Sequence, residues 1–310
     1  MRLRLGTRGS ALALVQARHV AAELERRGHD VEIVPITTTG DVLTGSLVAV
    51  GGKGLFVKEI ESALAASTID VAVHSLKDVP AVIPAGLVLV ATPPREDPRD
   101  VLVSRDGGVG IDGLRPGARV GTSSLRRRAQ LRARRPDVEA VALRGNVDTR
   151  LRKLAAGEVD AVLLAAAGLR RLGLAPAGMT PLSPDEFVPA IGQGTLGLEA
   201  RADDASVCAA LRALDDPASA AAARAERAFL VAVGGDCQTP LAAYARVTGD
   251  ALTLRAIVSE LDGSGALEDT VAGPVTDAAM LGERLAATLL ARGAAAIIAR
   301  ARAAAAMETT

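Results

Sequence analysis

Two short segments of this 310-residue chain repeat each other. Gly6-Thr7-Arg8-Gly9-Ser10-Ala11-Leu12 and Gly121-Thr122-Ser123-Ser124-Leu125 each end a strand-like run and open a helical one. A turn of this kind aims backbone N–H groups and hydroxyls at one point, a ready anion site. One copy in each half predicts two lobes facing a shared cleft. The flanking pattern agrees. Strands are predicted over 2–7, 31–37, 69–74 and 87–91, with helices over 10–27, capped by Ser10, and over 55–66. Pro93-Pro94-Arg95-Glu96-Asp97-Pro98-Arg99-Asp100 reads as a linker. The alternation then restarts, with strands over 101–104, 118–121, 138–143 and 159–165 and helices over 124–134 and 146–156. Such alternation implies α/β lobes with mainly parallel sheets. A second crossing between lobes is expected near Val188–Gly194. The last third differs. A long Ala-rich helix over 217–233 precedes strands over 242–247, 251–259 and 267–273, a helix over 276–292 and an Ala/Arg tail, a separate α+β unit.

Charge and composition narrow the function. Lys+Arg and Asp+Glu balance at 36 each, so no global field draws the chain to nucleic acid or membrane. One Tyr, three Phe and no Trp argue against base stacking. No run approaches the roughly 20 apolar residues of a membrane span. Three histidines and two cysteines draw no metal site of standard spacing and no disulfide framework, so a reducing, cytoplasmic setting is expected.

The positive charge is local. Residues 119–152 carry ten arginines. Arg126-Arg127-Arg128 follow Ser124, Arg144 and Arg150 flank the next helix start, and Arg8 sits at the matching place in the first half. A solvated basic face is the usual explanation of a charge run. At helix starts the macrodipole is already positive, so cations there cost stability, which points to binding of carboxylates or phosphates by guanidinium forks. His74-Ser75-Leu76-Lys77-Asp78-Val79-Pro80 ends a buried strand, where α/β sheets meet their ligands. Asp78 there could hold a developing cation or pass protons, and Lys77 could bind an acidic substrate, although a Lys/Asp surface turn is the commoner reading of such a pair. The glycine-rich stretch 40–56 is expected to be a mobile cover, with Phe56 either core or cleft. Cys237, in Gly234-Gly235-Asp236-Cys237-Gln238-Thr239-Pro240, lies on an irregular loop. It is a candidate nucleophile or attachment point, against the plainer reading of a small buried side chain.

Taken together and in this order, the segments resemble the porphobilinogen deaminase (hydroxymethylbilane synthase) family. The likeness rests on Thr7-Arg8 with Ser10, Gly51–Glu59, His74–Pro80, Gly121–Arg127, Leu143–Val147 with Arg150, Ala166–Gly173, Gly192-Gln193-Gly194 and the Cys237 loop. It implies two periplasmic-binding-protein-type (type II) lobes, over 1–95 with about 191–213 returning and over 99–190, and a small C-terminal α+β domain over 216–310. It implies a transferase of tetrapyrrole synthesis with a dipyrromethane cofactor joined to Cys237 by a thioether. On that resemblance, four porphobilinogen molecules would be condensed head to tail with loss of ammonia, and linear hydroxymethylbilane released by hydrolysis. By resemblance, Asp78 is catalytic. Lys77, Asp78, Ser124, Arg126, Arg127, Arg144 and Arg150 would hold the cofactor, and Arg8, Ser10, Phe56, Arg170 and Gln193 the substrate. No metal, nucleic-acid partner or membrane is implied, and a monomer is expected. The family loop commonly has glycine before the cysteine. Here Asp236 stands there, and an adjacent acid should raise the thiol pKa. The alternative reading is a two-lobed binding module for a polycarboxylate, without catalysis.

Overall fold

The computed structural model describes residues 1–42, 54, 56–236 and 239–307, so Cys237 and most of the predicted cover, 43–53, lie outside the described residues. The first sheet draws on β1 (Arg2–Arg8), β2 (Asp30–Ile36), β3 (Val71–Ser75) and β4 (Leu87–Ala91). Its helices are α1 (Ala11–Glu25), α2 (Thr39–Val42) and α3 (Lys58–Ala65). The chain then supplies β5 (Asp100–Ser104), β6 (Arg119–Gly121), α4 (Leu125–Arg134), β7 (Glu139–Val141) and α5 (Val147–Ala155). β8 (Ala161–Ala165), α6 (Ala166–Arg171) and β9 (Met179–Pro181) follow. β10 (Leu196–Arg201) and α7 (Ala205–Arg212) come next. The last region holds α8 (Pro217–Val233), β11 (Leu241–Thr248), β12 (Ala251–Val258), β13 (Leu267–Pro274), α9 (Ala278–Ala291) and α10 (Ala294–Met307).

Two five-stranded sheets share one topology, β2-β1-β3-β10-β4 and β7-β6-β8-β5-β9. Each is mixed, which corrects the expectation of mainly parallel sheets. β1 pairs parallel with β2 and β3, and β6 with β7 and β8. β10 runs antiparallel to β3 and β4, and β5 antiparallel to β8 and β9. The cause is the double crossing. β5 and β10 are the strands that carry the chain from one sheet to the other. They enter from the neighbouring lobe without the helical crossover that parallel pairing needs.

Alternation along β1 buries Leu3 and Leu5 against Val20 and Leu24 of α1, and each such side chain contributes about 1.5–3 kcal/mol of burial. The helix begins where Ser10 Oγ accepts the Ala13 N–H at 3.3 Å. Ser124 and Asn146 cap α4 and α5 in the same way. The antiparallel sheet β11-β12-β13 packs on α8 and α9 through Phe229, Leu254 and Leu285. At the second crossing Gly194 has φ +87°, and a Cβ there would lie 2.3 Å from the Glu96 carbonyl oxygen, so only glycine lets the two crossing segments touch.

Candidate active site

The ends of matching strands open on one cavity of about 560 Å³. From the first sheet come Arg8 at the end of β1, Ser10 at the start of α1, and Lys77 and Asp78 on a 3-10 turn directly after β3. From the second come Arg127 on α4, Arg144 before α5, Arg150 on α5 and Arg171 on α6. Among the described residues the wall carries six cationic side chains and three carboxylates, Asp41, Asp78 and Asp148. The lining is therefore built for anions.

Several cations lack an acidic partner of their own. Arg150 donates Nε to the Gly145 carbonyl at 2.9 Å, and burial followed by repulsion from Arg127 lowers its pKa to about 10. Burial likewise lowers Arg171, although Glu96 pulls the other way. Burial brings Lys77 down to about 8, with Arg127 and Arg126 pushing in the same direction and Asp78 and Asp100 opposing. Guanidinium groups desolvated without a counter-ion are the mark of a site whose ligand supplies the negative charge. Arg127 has an acid in Asp100, and Arg8 has one of its own. It donates to Asp41 through Nε at 3.1 Å and lies 4.1 Å above the Phe56 ring. Burial would raise the Asp41 pKa, but Arg8 and Thr38 hold it below the ordinary value. Phe56 thus lines the cleft, whereas Phe187 and Phe229 are core.

Eight of the residues named from sequence meet at the cavity: Arg8, Ser10, Phe56, Lys77, Asp78, Arg127, Arg144 and Arg150. Four do not. Ser124 faces its own helix and caps Arg127 N at 3.4 Å. Arg126 is buried, donating to Asp100 at 2.7 Å and to the Val188 carbonyl at 2.7 Å. Gln193 is buried behind the wall, with Nε2 on the Pro98 carbonyl at 2.7 Å and on Asp100 at 3.1 Å. Arg170 is exposed and pairs with Glu96 and Asp97 of the crossing segment. The Ser124 hydroxyl is thus engaged by a backbone donor, and Arg126, Gln193 and Arg170 by acceptors of the protein itself. As placed, Arg126, Gln193 and Arg170 are engaged by these partners and do not line the cavity.

Sequence reasoning passed over Gln16, Ser75 and Arg171. Gln16 and Ser75 hydrogen-bond each other at 3.0 Å on the wall. Arg171 follows Arg170 in the same motif and differed by nothing legible except helical phase. His74 is buried on Glu199 at 2.9 Å, which occupies it structurally. Among the described residues no group of three His, Cys, Asp or Glu could hold a metal, and no helix is long and apolar enough to cross a membrane.

The Asp236 departure also finds an answer. Arg302 of α10 donates to the Gly234 carbonyl at 2.7 Å and to Asp236 at 3.0 Å, so a guanidinium opposes the acid beside Cys237. The pair is partly exposed, so its effect is modest. Arg302→Ala is expected to slow attachment of the cofactor to apoprotein by at most about fivefold, followed by intact mass against time. An unchanged time course would show that the ion pair has no bearing on the thiol.

Two sheets of one topology and a cleft at their strand ends, lined by a surplus of cations around Asp78, define a two-lobed protein suited to an anionic ligand. Residues 3–209 match the family model described as "Porphobilinogen deaminase, dipyromethane cofactor binding domain", and residues 220–291 match "Porphobilinogen deaminase, C-terminal domain". Porphobilinogen deaminase of Syntrophotalea carbinolica is 54% identical over 300 residues, 96% of this chain and 95% of the relative. That of Geobacter sulfurreducens is 52% identical over 295 residues, 94% and 92%. Among solved structures, the periplasmic VFT2 domain of Bordetella pertussis BvgS has a TM-score of 0.42 at 16% identity, covering 68% of this chain and 85% of its own. The extracellular-binding protein ytmK of Bacillus subtilis has a TM-score of 0.43 at 10% identity, covering 69% and 90%. Both are distant likenesses. The chain belongs to the porphobilinogen deaminase family. It carries that family's dipyrromethane-binding domain and is a transferase of tetrapyrrole synthesis.

Proposed function

We propose that Lys77, Arg127, Arg144 and Arg150 hold the carboxylates of the dipyrromethane, and that Arg8 and Ser10 receive those of incoming porphobilinogen. The donor set fits such a group, because a dipyrrole with acetate and propionate arms brings the counter-charge that Arg150 and Lys77 lack. When bound through Cys237, the cofactor supplies the nucleophilic pyrrole carbon on which the chain grows. Asp78 does the protein's part of the chemistry. Loss of ammonia from porphobilinogen leaves a cation, and a carboxylate held beside it stabilises that charge and can take up the proton released on coupling. Arg8 exchanges Asp41 for a substrate carboxylate, and Phe56 keeps water from that face.

Four condensations in head-to-tail order, then hydrolysis, deliver hydroxymethylbilane. The single observation behind this assignment is the excess of cations around Asp78. A monomer working in the cytoplasm is part of the reading. One cavity of one chain supplies every described residue it uses, and the thiol needs a reducing compartment. The purified protein is expected to carry one adduct of two condensed pyrroles, mapped to Cys237 by peptide mass spectrometry. An active chain of unmodified mass would overturn the reading.

A further inference from the structure

We infer that Asp100 is a positioning residue of the deaminase site, fixing Arg127 directly and anchoring Lys77 through the side-chain amide of Gln193. This rests on the proposal that Lys77 and Arg127 hold the cofactor. Asp100 opens β5, where the chain enters the second sheet, and its side chain is fully buried. A buried carboxylate is costly unless its oxygens are satisfied. Arg127 meets Asp100 through Nε at 2.9 Å and Nη2 at 2.7 Å, leaving Nη1 to the Leu163 carbonyl at 2.9 Å. That fork sets the plane in which Arg127 faces the cavity. Arg126 takes the other Asp100 oxygen at 2.7 Å. Burial would push the Asp100 carboxyl up, but Arg126 and Arg127 hold it well below the ordinary carboxylate range.

The link to Lys77 runs through Gln193. Its Nε2 donates to Asp100 at 3.1 Å, and its Oε1 accepts Lys77 Nζ at 3.5 Å. An amide that donates to an anion presents a more negative oxygen at its other end. Among the described residues, four charged groups act on Lys77: Asp78 from its own turn, Arg126 and Arg127 from α4, and Asp100 from β5. Asp100 is one of only two acids among them. Removing its charge leaves two guanidinium groups against Asp78 alone, so Lys77 must lose its proton at lower pH. An ion pair that neither reached nor oriented Lys77 would leave that titration where it is.

The test compares wild type, Asp100→Asn, Asp100→Glu and Gln193→Leu as purified, at equal adduct loading by intact mass. Lys77 is titrated by competitive acetylation with acetic anhydride and peptide mass spectrometry. With the adduct's carboxylates beside it, the wild-type midpoint is expected above the value of about 8 that the protein's own groups give Lys77. Asp100→Asn and Gln193→Leu are expected to raise Lys77 labelling at neutral pH by roughly threefold, equivalent to a half-unit fall in midpoint, and Asp100→Glu to restore it. A folded Asp100→Asn protein with the wild-type midpoint overturns the inference. Unfolding moves Lys77 the opposite way, toward the ordinary 10.5, and is thereby recognised. If Asp100→Asn unfolds, an unchanged midpoint in Gln193→Leu overturns the inference in its place. Wild type without an adduct would overturn the functional reading and leave the Lys77 comparison standing.

Discussion

Asp78→Asn is expected to lower kcat by about 10²–10⁴-fold, the range for losing a positioned acid–base group, with folding and adduct loading unchanged. The substitution keeps size and removes charge. No other described carboxylate on the wall can take its place. Asp41 stays held by the Thr38 hydroxyl and N–H when Arg8 turns to substrate, and Asp148 is exposed in the first turn of α5, where the helix dipole already serves it. Asp78 sits on a short turn whose neighbour Leu76 is core, so the turn keeps its shape without the charge. Product formed from porphobilinogen gives kcat, intact mass gives loading, and a thermal melt reports the fold. Near-normal turnover in Asp78→Asn would remove it as the catalytic carboxylate.

Glu226→Ala is expected to destabilise the protein by about 3–5 kcal/mol, because it strands a buried guanidinium. Glu226 is fully buried on α8. It accepts Arg95 Nη1 at 2.6 Å, the Gly192 N–H at 2.6 Å and the Ala245 N–H at 2.8 Å. Arg95 belongs to the first crossing segment, Gly192 to the second and Ala245 to β11. One carboxylate thus ties both crossings to the C-terminal sheet. Its loss leaves a largely buried cation with no acid, held by the Gln193 and Ala245 carbonyls and the Tyr244 ring, and two amide donors unpaired. The melting temperature is expected to fall by roughly 10 °C, scaling from smaller domains. A fall of only a degree or two would show that water or rearrangement satisfies Arg95. A leucine at position 226 separates charge from volume, since it fills the space and leaves the same groups bare.

Much of the site was legible because its residues are local to recognisable turns. Arg8 with Ser10, and Lys77 with Asp78, stand within a few positions of a strand end, where chain direction alone sends them to the cleft. Phe56 shows the limit of that reasoning. Its neighbours in sequence left core and cleft equally open, and the Arg8 guanidinium above its ring decides the matter. Asp100 was read as part of a charged linker. Its partners lie 26, 27 and 93 residues away, and no period or motif announces a pairing of that span. Arg126 and Arg127 are adjacent and chemically identical, yet only Arg127 lines the cleft. The hundred-degree step of the helix, measured against a core that exists only after folding, turns one to the cavity and the other to Val188.

Hydrophobic period, caps and glycines, all of them short-range, are properties of the chain before it folds. They determined the order of strands and helices, the capped helix starts at Ser10 and Ser124, and the long helix Pro217–Val233. Tertiary structure alone decided the antiparallel entry of β5 and β10, the burial of Asp100 and Glu226, and which cations stay free for a ligand. A charge is committed by the nearest desolvated opposite charge, and that distance is set by three-dimensional packing and not by position along the sequence.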